Sequence, residues 1–223
     1  MEESVAKWLD VSRTPVREAL RRLESEDVLA RGTQGLVVVE IGEEELLELY
    51  DLRERLEEMA ASFAARNASA ADRKRLRRVL AEEEACDPRD AATLASINRE
   101  FHRVLAAAAH NRYLVKTMNG LQDVFLRLRS TVFSLPGRPR LALEEHRGIV
   151  QAIERRDAPA AARAARLHIR ASRRSRVRLQ GGSTNTLPRA RGQPAGISFE
   201  RSRPRNAYGV GSPSAGRLRG ERE

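Results

Sequence analysis

The chain has 223 residues, of which 4% are aromatic and 32% are charged, and its length suits one medium domain or two small ones with a real hydrophobic core. The formal net charge is +10, but the basic residues are 38 arginines and only three lysines, so arginine usage alone does not indicate nucleic-acid binding. The single cysteine, Cys86, excludes an intrachain disulfide and a cysteine-rich zinc site.

The charge is unevenly distributed. Residues 181–223 hold eight Arg against three Glu, whereas residues 1–40 hold six basic against eight acidic side chains. Any positive field at the N-terminal end must therefore be local. No apolar run is long enough to cross a bilayer and the acidic start is no signal peptide, so we expect a cytoplasmic protein.

Residues 2–9, EESVAKWL, predict a first helix, with Val5, Trp8 and Leu9 on one face, and Asp10-Val11 predicts a turn. The next stretch, VSRTPVREALRRL over residues 11–23, predicts a second helix. Ser12 or Thr14 is suited to cap its start, and a proline in the first turn costs no hydrogen bond. Its apolar face is formed by Val16, Ala19, Leu20 and Leu23.

Three arginines form a stripe elsewhere on this second helix, since Arg13, Arg17 and Arg21 recur at every fourth position. The guanidinium fork of arginine grips phosphates and the guanine edge in a bidentate manner. By periodicity alone, a solvated amphipathic helix explains the same pattern. A DNA-reading helix is the functional interpretation.

Residues 28–39 predict a β-hairpin, because a turn at Gly32-Thr33-Gln34-Gly35 precedes the β-branched run Val37-Val38-Val39. From Glu43 onward the pattern is helical. Breaks rich in Asn, Asp, Pro and Gly predict helices near residues 43–66, 70–85, 90–109, 111–134, 140–156 and 158–178. From residue 180 periodicity is lost, and we expect a disordered basic tail over residues 180–223.

The string SRTPVREAL followed by RRLESEDVLA resembles the recognition helix of GntR-type winged helix-turn-helix repressors. That resemblance implies a mainly α fold class and DNA contacts by Ser12, Arg13, Thr14 and Arg17, with Gly35 at the wing tip. GntR-type domains begin with a further helix and a basic loop, and this chain starts about 25 residues later than that pattern. We therefore expect residues 1–41 to be a winged helix-turn-helix domain that lacks its first helix.

Residues 46–66, LLELYDLRERLEEMAASFAAR, are similar to the helix that opens the effector domain of FadR-like GntR regulators, the FCD type. The resemblance implies that residues 42–179 form an all-helical antiparallel bundle that binds an effector and dimerises. Within this stretch the periodicity by itself makes Arg53 and Glu57 only a surface ion pair one helical turn apart.

Four histidines occur in the chain, three of them within predicted helices. Asn98 and His102 share a helical face, and His146 and His168 lie 44 and then 22 residues further on. Sequence spacing alone cannot bring these side chains together, and each one taken singly is an ordinary helix histidine. His110 falls in a turn.

The FCD resemblance changes the interpretation of these residues. Many members carry Asp-x-x-Phe-His on one helix and His on two later helices, and these side chains hold a divalent metal such as zinc or nickel. By that match the ligands are His102, His146 and His168, with Asn98 in place of the aspartate. An amide oxygen can coordinate but carries no charge, so a weaker site is expected.

A dication held by neutral ligands would attract an anion. We therefore expect a small organic acid as effector, bound at the metal and by Arg127 or Arg129. The leading function is a dimeric, DNA-binding transcriptional repressor that binds two operator half-sites and is modulated by this effector.

Two alternatives remain from the residues. One is a metal-dependent helical sensor that binds DNA poorly because the first helix is missing. The other is a metal hydrolase, since three histidines and an open position occur in hydrolytic sites. No motif places a general base, however, because Glu145 is adjacent to His146 and points to another helix face. The sequence therefore predicts a regulator and not an enzyme.

Overall fold

The computed structural model describes residues 2–26, 28–33, 35–128 and 130–183 of the chain. The described part is mainly helical, and the chain divides into two compact units between Val37 and Val38. The predicted domain limits near residues 41 and 179 remain predictions. The tail prediction falls mostly outside the described residues, since the last helix continues to Ser183 and the tail from residue 184 is not described.

The first unit contains the predicted helix-turn-helix and wing. Its elements are α1 (Glu2–Leu9), α2 (Arg13–Ser25), β1 (Leu29–Gly32) and β2 (Gly35–Val38), and the two strands pair as a hairpin. Asp10, with φ 57°, takes the left-handed conformation that turns α1 into α2. Gly35 follows the hairpin turn with φ 125°, a conformation that glycine adopts without strain.

The small core of this unit consists of Ala6, Val16 and Leu29. The predicted apolar face of α2 is only partly correct, because Ala19 is exposed while Leu20 and Leu23 are half-buried. Ser12 does occupy the N-cap position, but its side chain makes no capping hydrogen bond. This helix end is exposed, where water can satisfy the free N–H groups.

The described residues of the second unit form six α-helices. They are α3 (Glu43–Asn67), α4 (Ala70–Ala85), α5 (Ala91–Ala108), α6 (Arg112–Leu126), α7 (Arg138–Glu154) and α8 (Ala158–Ser183). Polar caps explain three of the starts. Ser69 and Asp72 form a reciprocal capping box before α4, and the side chains of Asp90 and Asn111 accept first-turn N–H groups of α5 and α6.

The predicted helix over residues 111–134 is wrong over its last third, from residue 127 onward. Helix α6 ends at Leu126, and a 3-10 turn follows at Val132–Ser134. Val132 and Phe133 are buried with Leu94 and Ala142 in a separate cluster. A continuous helix would carry these two side chains away from that cluster, so burial outweighs helical periodicity here.

Helices α3 and α8 lie antiparallel. Three ion pairs join them in opposite chain order, namely Asp51–Arg173, Glu54–Arg170 and Glu58–Arg166. The main core contains buried alanines of α3 that allow close helix approach, packed with Phe101, Leu105, Ile149 and Ile153. This antiparallel bundle brings the inner faces of α5, α7 and α8 together.

Candidate metal centre and DNA-binding surface

Three histidines converge inside the bundle. His102 comes from α5, His146 from α7 and His168 from α8, and all three side chains are at most 2% exposed. One ring nitrogen from each lies within 4.8 Å of the others. The tertiary structure therefore brings together the three imidazoles that the family resemblance grouped.

The ring nitrogens that face each other are the Nε2 atoms. Nε2 of His168 lies 3.3 Å from Nε2 of His102, and Nε2 of His146 is buried with no hydrogen-bond partner among the described residues. The ring of Phe101 stacks on His146, with centroids 4.0 Å apart, and holds that imidazole in place. The cluster thus has lone-pair donors turned toward one point.

A glutamate lies against the other side of each imidazole. Nδ1 of His146 is 2.7 Å from Oε2 of Glu83, and Nδ1 of His168 is 2.7 Å from Oε2 of Glu145. Nδ1 of His102 is 2.8 Å from Oε1 of Glu57, within ion-pair distance although the ring N–H is poorly aligned with that oxygen. An ionised carboxylate only accepts hydrogen bonds, so a proton on Nδ1 suits each of these contacts and leaves the lone pair of Nε2 free for a metal.

Two arginines complete this shell. Arg53 approaches Glu57, and the buried Arg138 donates to Glu145 at 2.8 Å. Burial by itself would raise the pKa of Glu57, but His102 and then Arg53 outweigh it and the pKa falls below its ordinary value. Burial raises the pKa of Glu145 in spite of Arg138.

The same burial keeps two of the imidazoles neutral. It lowers the pKa of His102, which Glu57 opposes only in part. Burial, followed by the neighbouring His146 and His102, holds the pKa of His168 well below its ordinary value. Neutral imidazole is the form that binds metals.

The geometry fits a divalent metal. Metal–nitrogen bonds of about 2.0–2.1 Å place neighbouring ligand nitrogens roughly 3.0–3.4 Å apart, and the two Nε2 atoms of His102 and His168 are separated by 3.3 Å. Two lone pairs at that distance repel unless a proton or a cation lies between them. The unpartnered Nε2 of His146 supplies a third donor.

The remaining predicted residues around the centre are placed as follows. Asn98 is half-buried on α5, one turn before His102. His110 is exposed with φ 51° and contacts Asp72 at 2.8 Å, away from the cluster as predicted. Arg127 is half-buried, and its Nη2 donates to the backbone carbonyl of Val39 at 3.2 Å. Arg129 lies outside the described residues.

The three glutamates were missed by the sequence analysis, although a signal was present. Glu57 lies on the same stripe of α3 as Tyr50, Ala61 and Ala64, all of which are buried. Glu83 continues the buried stripe of α4. A carboxylate on an apolar stripe indicates a buried charge that needs a partner.

The predicted DNA-contacting residues lie at the surface of the first unit. Ser12, Arg13, Thr14 and Arg17 are exposed at and after the start of α2, and Gly35 is exposed beside the hairpin turn. Arg17 pairs with Glu2 of α1 at 3.2 Å and remains 48% exposed. The side chains are therefore available to a ligand outside the unit.

A winged helix-turn-helix that precedes a helical bundle is an architecture of transcriptional regulators. The profile described as "Bacterial regulatory proteins, gntR family" matches residues 1–39, and the FCD domain profile matches residues 48–171. The chain belongs to the GntR family of transcriptional regulators, in the branch with an FCD domain.

Similar proteins agree with this family. The chain is 31% identical over 183 residues to a probable D-xylose utilization operon transcriptional repressor of Paenarthrobacter nicotinovorans, which covers 81% of this chain and 80% of that protein. It is 28% identical over 163 residues to the HTH-type regulator YdhC of Bacillus subtilis (strain 168), over 72% and 73% of the two chains. The fold is similar to that of E. coli McbR/YncC, with a TM-score of 0.68, 22% identity, and coverage of 83% and 87%.

These families and relatives are transcriptional regulators and not enzymes, which sets the hydrolase alternative aside. Among the described residues, no helix is long and apolar enough to cross a membrane.

Proposed function

We propose that this protein is a dimeric transcriptional repressor whose operator affinity is set by a small carboxylate bound at a divalent metal in the helical unit. The observation that carries the proposal is the convergence of one ring nitrogen from each of three buried histidines in an FCD domain that follows a GntR helix-turn-helix. Its place of action would be the cytoplasm, where operator DNA is accessible.

DNA binding is assigned to α2 and the wing. Arg13 and Arg17 lie on exposed positions one turn apart, where they can contact phosphates or base edges in a major groove. Ser12, Thr14 and the backbone at Gly35 can donate to phosphates. Because helix-turn-helix proteins bind paired half-sites, we propose a homodimer.

The metal would be held by His102, His146 and His168, with the amide oxygen of Asn98 as a possible fourth ligand. When bound, it would supply a Lewis-acid anchor for an anion. The residues of the chain bury the centre, orient the imidazoles and balance its charge. Imidazole and amide donors suit several first-row ions, including zinc and nickel.

The charges around the centre favour an anionic effector. Three glutamates contribute three negative charges, while Arg53, Arg138 and a dication contribute four positive ones. The neutral imidazoles leave an excess of one positive charge in a buried site. A small carboxylate neutralises it, and Arg127 and Arg129 are the further contacts we propose for that effector.

A series of contacts leads from the histidines to residues 39–41, at the start of the second unit. Arg53, which pairs with Glu57, lies over the ring of Phe125 at 4.8 Å. Phe125 packs against the cluster that contains Ile41. Two residues further on, Arg127 binds the carbonyl of Val39. An effector that displaces Arg127 or Arg53 would therefore weaken the contacts that fix residues 39–41.

The test is operator selection followed by binding measurements. Genomic fragments selected by the full chain are footprinted, and the affinity for the recovered site is measured by fluorescence anisotropy with zinc or nickel and a panel of small carboxylates. We expect a palindromic footprint and a carboxylate that changes operator affinity about 5–150-fold. Response only to neutral sugars or amines would refute the effector class.

A separate variant tests the contacts that lead from the histidines to residues 39–41. Arg53→Gln should leave calorimetric binding of metal and carboxylate measurable while reducing the operator response to the carboxylate. Arg55→Gln is the matched control, because Arg55 is two residues further along the same helix and 69% exposed. An unchanged response in Arg53→Gln would exclude this route.

One observation favours the second candidate, a metal-dependent sensor with weak DNA binding. In the described residues of the first unit only Ala6, Val16 and Leu29 are buried apolar residues, while Leu9 and Val11 are about half exposed. A core this small is marginally stable by itself. Metal binding without DNA binding, even at low salt, would establish this alternative.

A further inference from the structure

We infer that Glu57, Glu83 and Glu145 are positioning residues for the metal, which set the three imidazoles so that each presents Nε2 to one point. The inference rests on the metal site of the proposed function. It adds that the charge absent at Asn98 is supplied from behind His146 by the buried carboxylate of Glu83. The amide at position 98 then costs the site less affinity than its neutrality alone implies.

The first argument is the repeated geometry. Three histidines on three different helices each have a glutamate oxygen 2.7–2.8 Å from Nδ1. The glutamates come from α3, α4 and α7, so one local sequence motif does not account for all three pairs. A hydrogen bond from Nδ1–H to a carboxylate fixes the tautomer and ring orientation and makes Nε2 a stronger donor.

The second argument is the uncompensated charge at Glu83. Its side chain is 1% exposed, and its other oxygen, Oε1, is buried without a hydrogen-bond partner in the described structure. On the opposite side of the same pair, Nε2 of His146 is also unpartnered. A cation at Nε2 of His146 would use this open nitrogen and would lie across the imidazole from the buried carboxylate, so it would stabilise both groups at once.

The third argument is that Glu57 and Glu145 differ from Glu83. Each of them also meets an arginine, Arg53 or Arg138. Their charge is thus balanced without a metal, and their contribution is mainly orientation. Glu83 contributes both orientation and charge, so its variants should have the largest effect on metal affinity.

The experiment compares Glu83→Gln and Glu83→Ala with the wild-type protein. Glutamine keeps an oxygen that accepts from Nδ1–H but removes the charge, whereas alanine removes both. Affinity for zinc is measured by competition with a chromophoric chelator. We expect about a tenfold loss for Glu83→Gln and a loss approaching 100-fold for Glu83→Ala. Glu82→Gln, an exposed neighbour on α4, should leave the affinity unchanged.

Two readouts separate positioning from a purely structural role. Long-range ¹H–¹⁵N spectra of the zinc-loaded wild type should show all three buried imidazoles protonated at Nδ1 and bound through Nε2. Urea denaturation should show metal-free Glu83→Gln to be as stable as the wild type or more so, because it removes a buried charge with an open oxygen. The visible spectrum of bound cobalt should change in Glu83→Ala.

The outcomes are distinct. If the wild type binds neither zinc nor cobalt, the metal part of the proposed function fails. If it binds them and Glu83→Gln and Glu83→Ala bind equally well, the positioning role is wrong while the metal site stands. Binding of zinc through Nδ1 in place of Nε2 would also overturn the inference, and this measurement on the wild type remains decisive if Glu83→Ala does not fold.

Discussion

The buried imidazoles predict that the metal-free protein loses stability in mild acid. The pKa values of His102 and His168 are lowered in the folded protein, chiefly by burial. In the unfolded chain a histidine titrates near about 6.5. Below that pH the unfolded chain binds protons that the folded protein does not, so the free energy of unfolding falls as the pH falls.

The magnitude follows from the two groups. Each imidazole that stays neutral while its unfolded counterpart titrates costs about 1.36 kcal/mol per pH unit, or up to about 2 kcal/mol between pH 6.5 and 5.0. Two such imidazoles cost up to about 4 kcal/mol. Glu145 opposes the trend, since its raised pKa makes the folded protein take up a proton as the pH falls. Glu57, with a lowered pKa, adds to the loss only near the pKa of an unfolded glutamate.

The assay is urea denaturation of chelator-treated protein at pH 7.5, 6.5, 5.5 and 5.0. Circular dichroism at 222 nm is the suitable probe, because helices dominate the second unit while the single tryptophan, Trp8, reports on the first unit. His168→Gln should make the pH dependence shallower, whereas the exposed His110→Gln should not. Equal stability at pH 5.0 and 7.5, or the same slope in wild type and His168→Gln, would refute the reasoning.

Three further predictions follow from other contacts. Zinc or nickel at 100 times its Kd should raise the free energy of unfolding by about 2.7 kcal/mol, and His146→Ala should abolish this gain in a thermal-shift assay; an equal gain in the variant would contradict the site. Arg17→Ala should weaken operator binding by about 1–3 kcal/mol in anisotropy titrations. Arg22→Ala is the control and should not weaken binding, because Arg22 is 80% exposed and pairs with Glu26. Equal losses in the two variants would show that Arg17 does not have the assigned role. Asp72→Ala removes the capping box of α4 and the contact with His110, and should cost about 0.5–2 kcal/mol in urea denaturation; no change would show that the cap contributes nothing.

Much of the architecture was predictable because it depends on local sequence. Periodicity and capping residues located the helices of the second unit to within a few residues, apart from the segment after Leu126. The prediction for that segment was wrong because the burial of Val132 and Phe133 depends on tertiary packing. The motif around Arg13 and Arg17 likewise identified the recognition helix and the family, since its residues are contiguous in sequence.

The candidate site was predictable only in part. Sequence by itself placed His102, His146 and His168 on helices, and only the family resemblance grouped them. The interpretation of Glu57 as a surface partner of Arg53 was wrong, because packing of α3 against α5 makes it 2% exposed beside His102. The sequence analysis assigned Glu145 no role at the site, whereas in the structure it contacts His168 on another helix.

The sequence alone determined which residues have the chemistry to bind DNA and metal, because side-chain type and helical periodicity are local properties. Only the tertiary structure decided which nitrogen of each histidine faces its neighbours. That choice depends on carboxylates up to 63 residues away in the chain, as in the pair Glu83–His146. Burial then strengthens the electrostatic effect of these carboxylates. A charge in a low-dielectric interior must be paired, whereas water would screen the same charge at the surface.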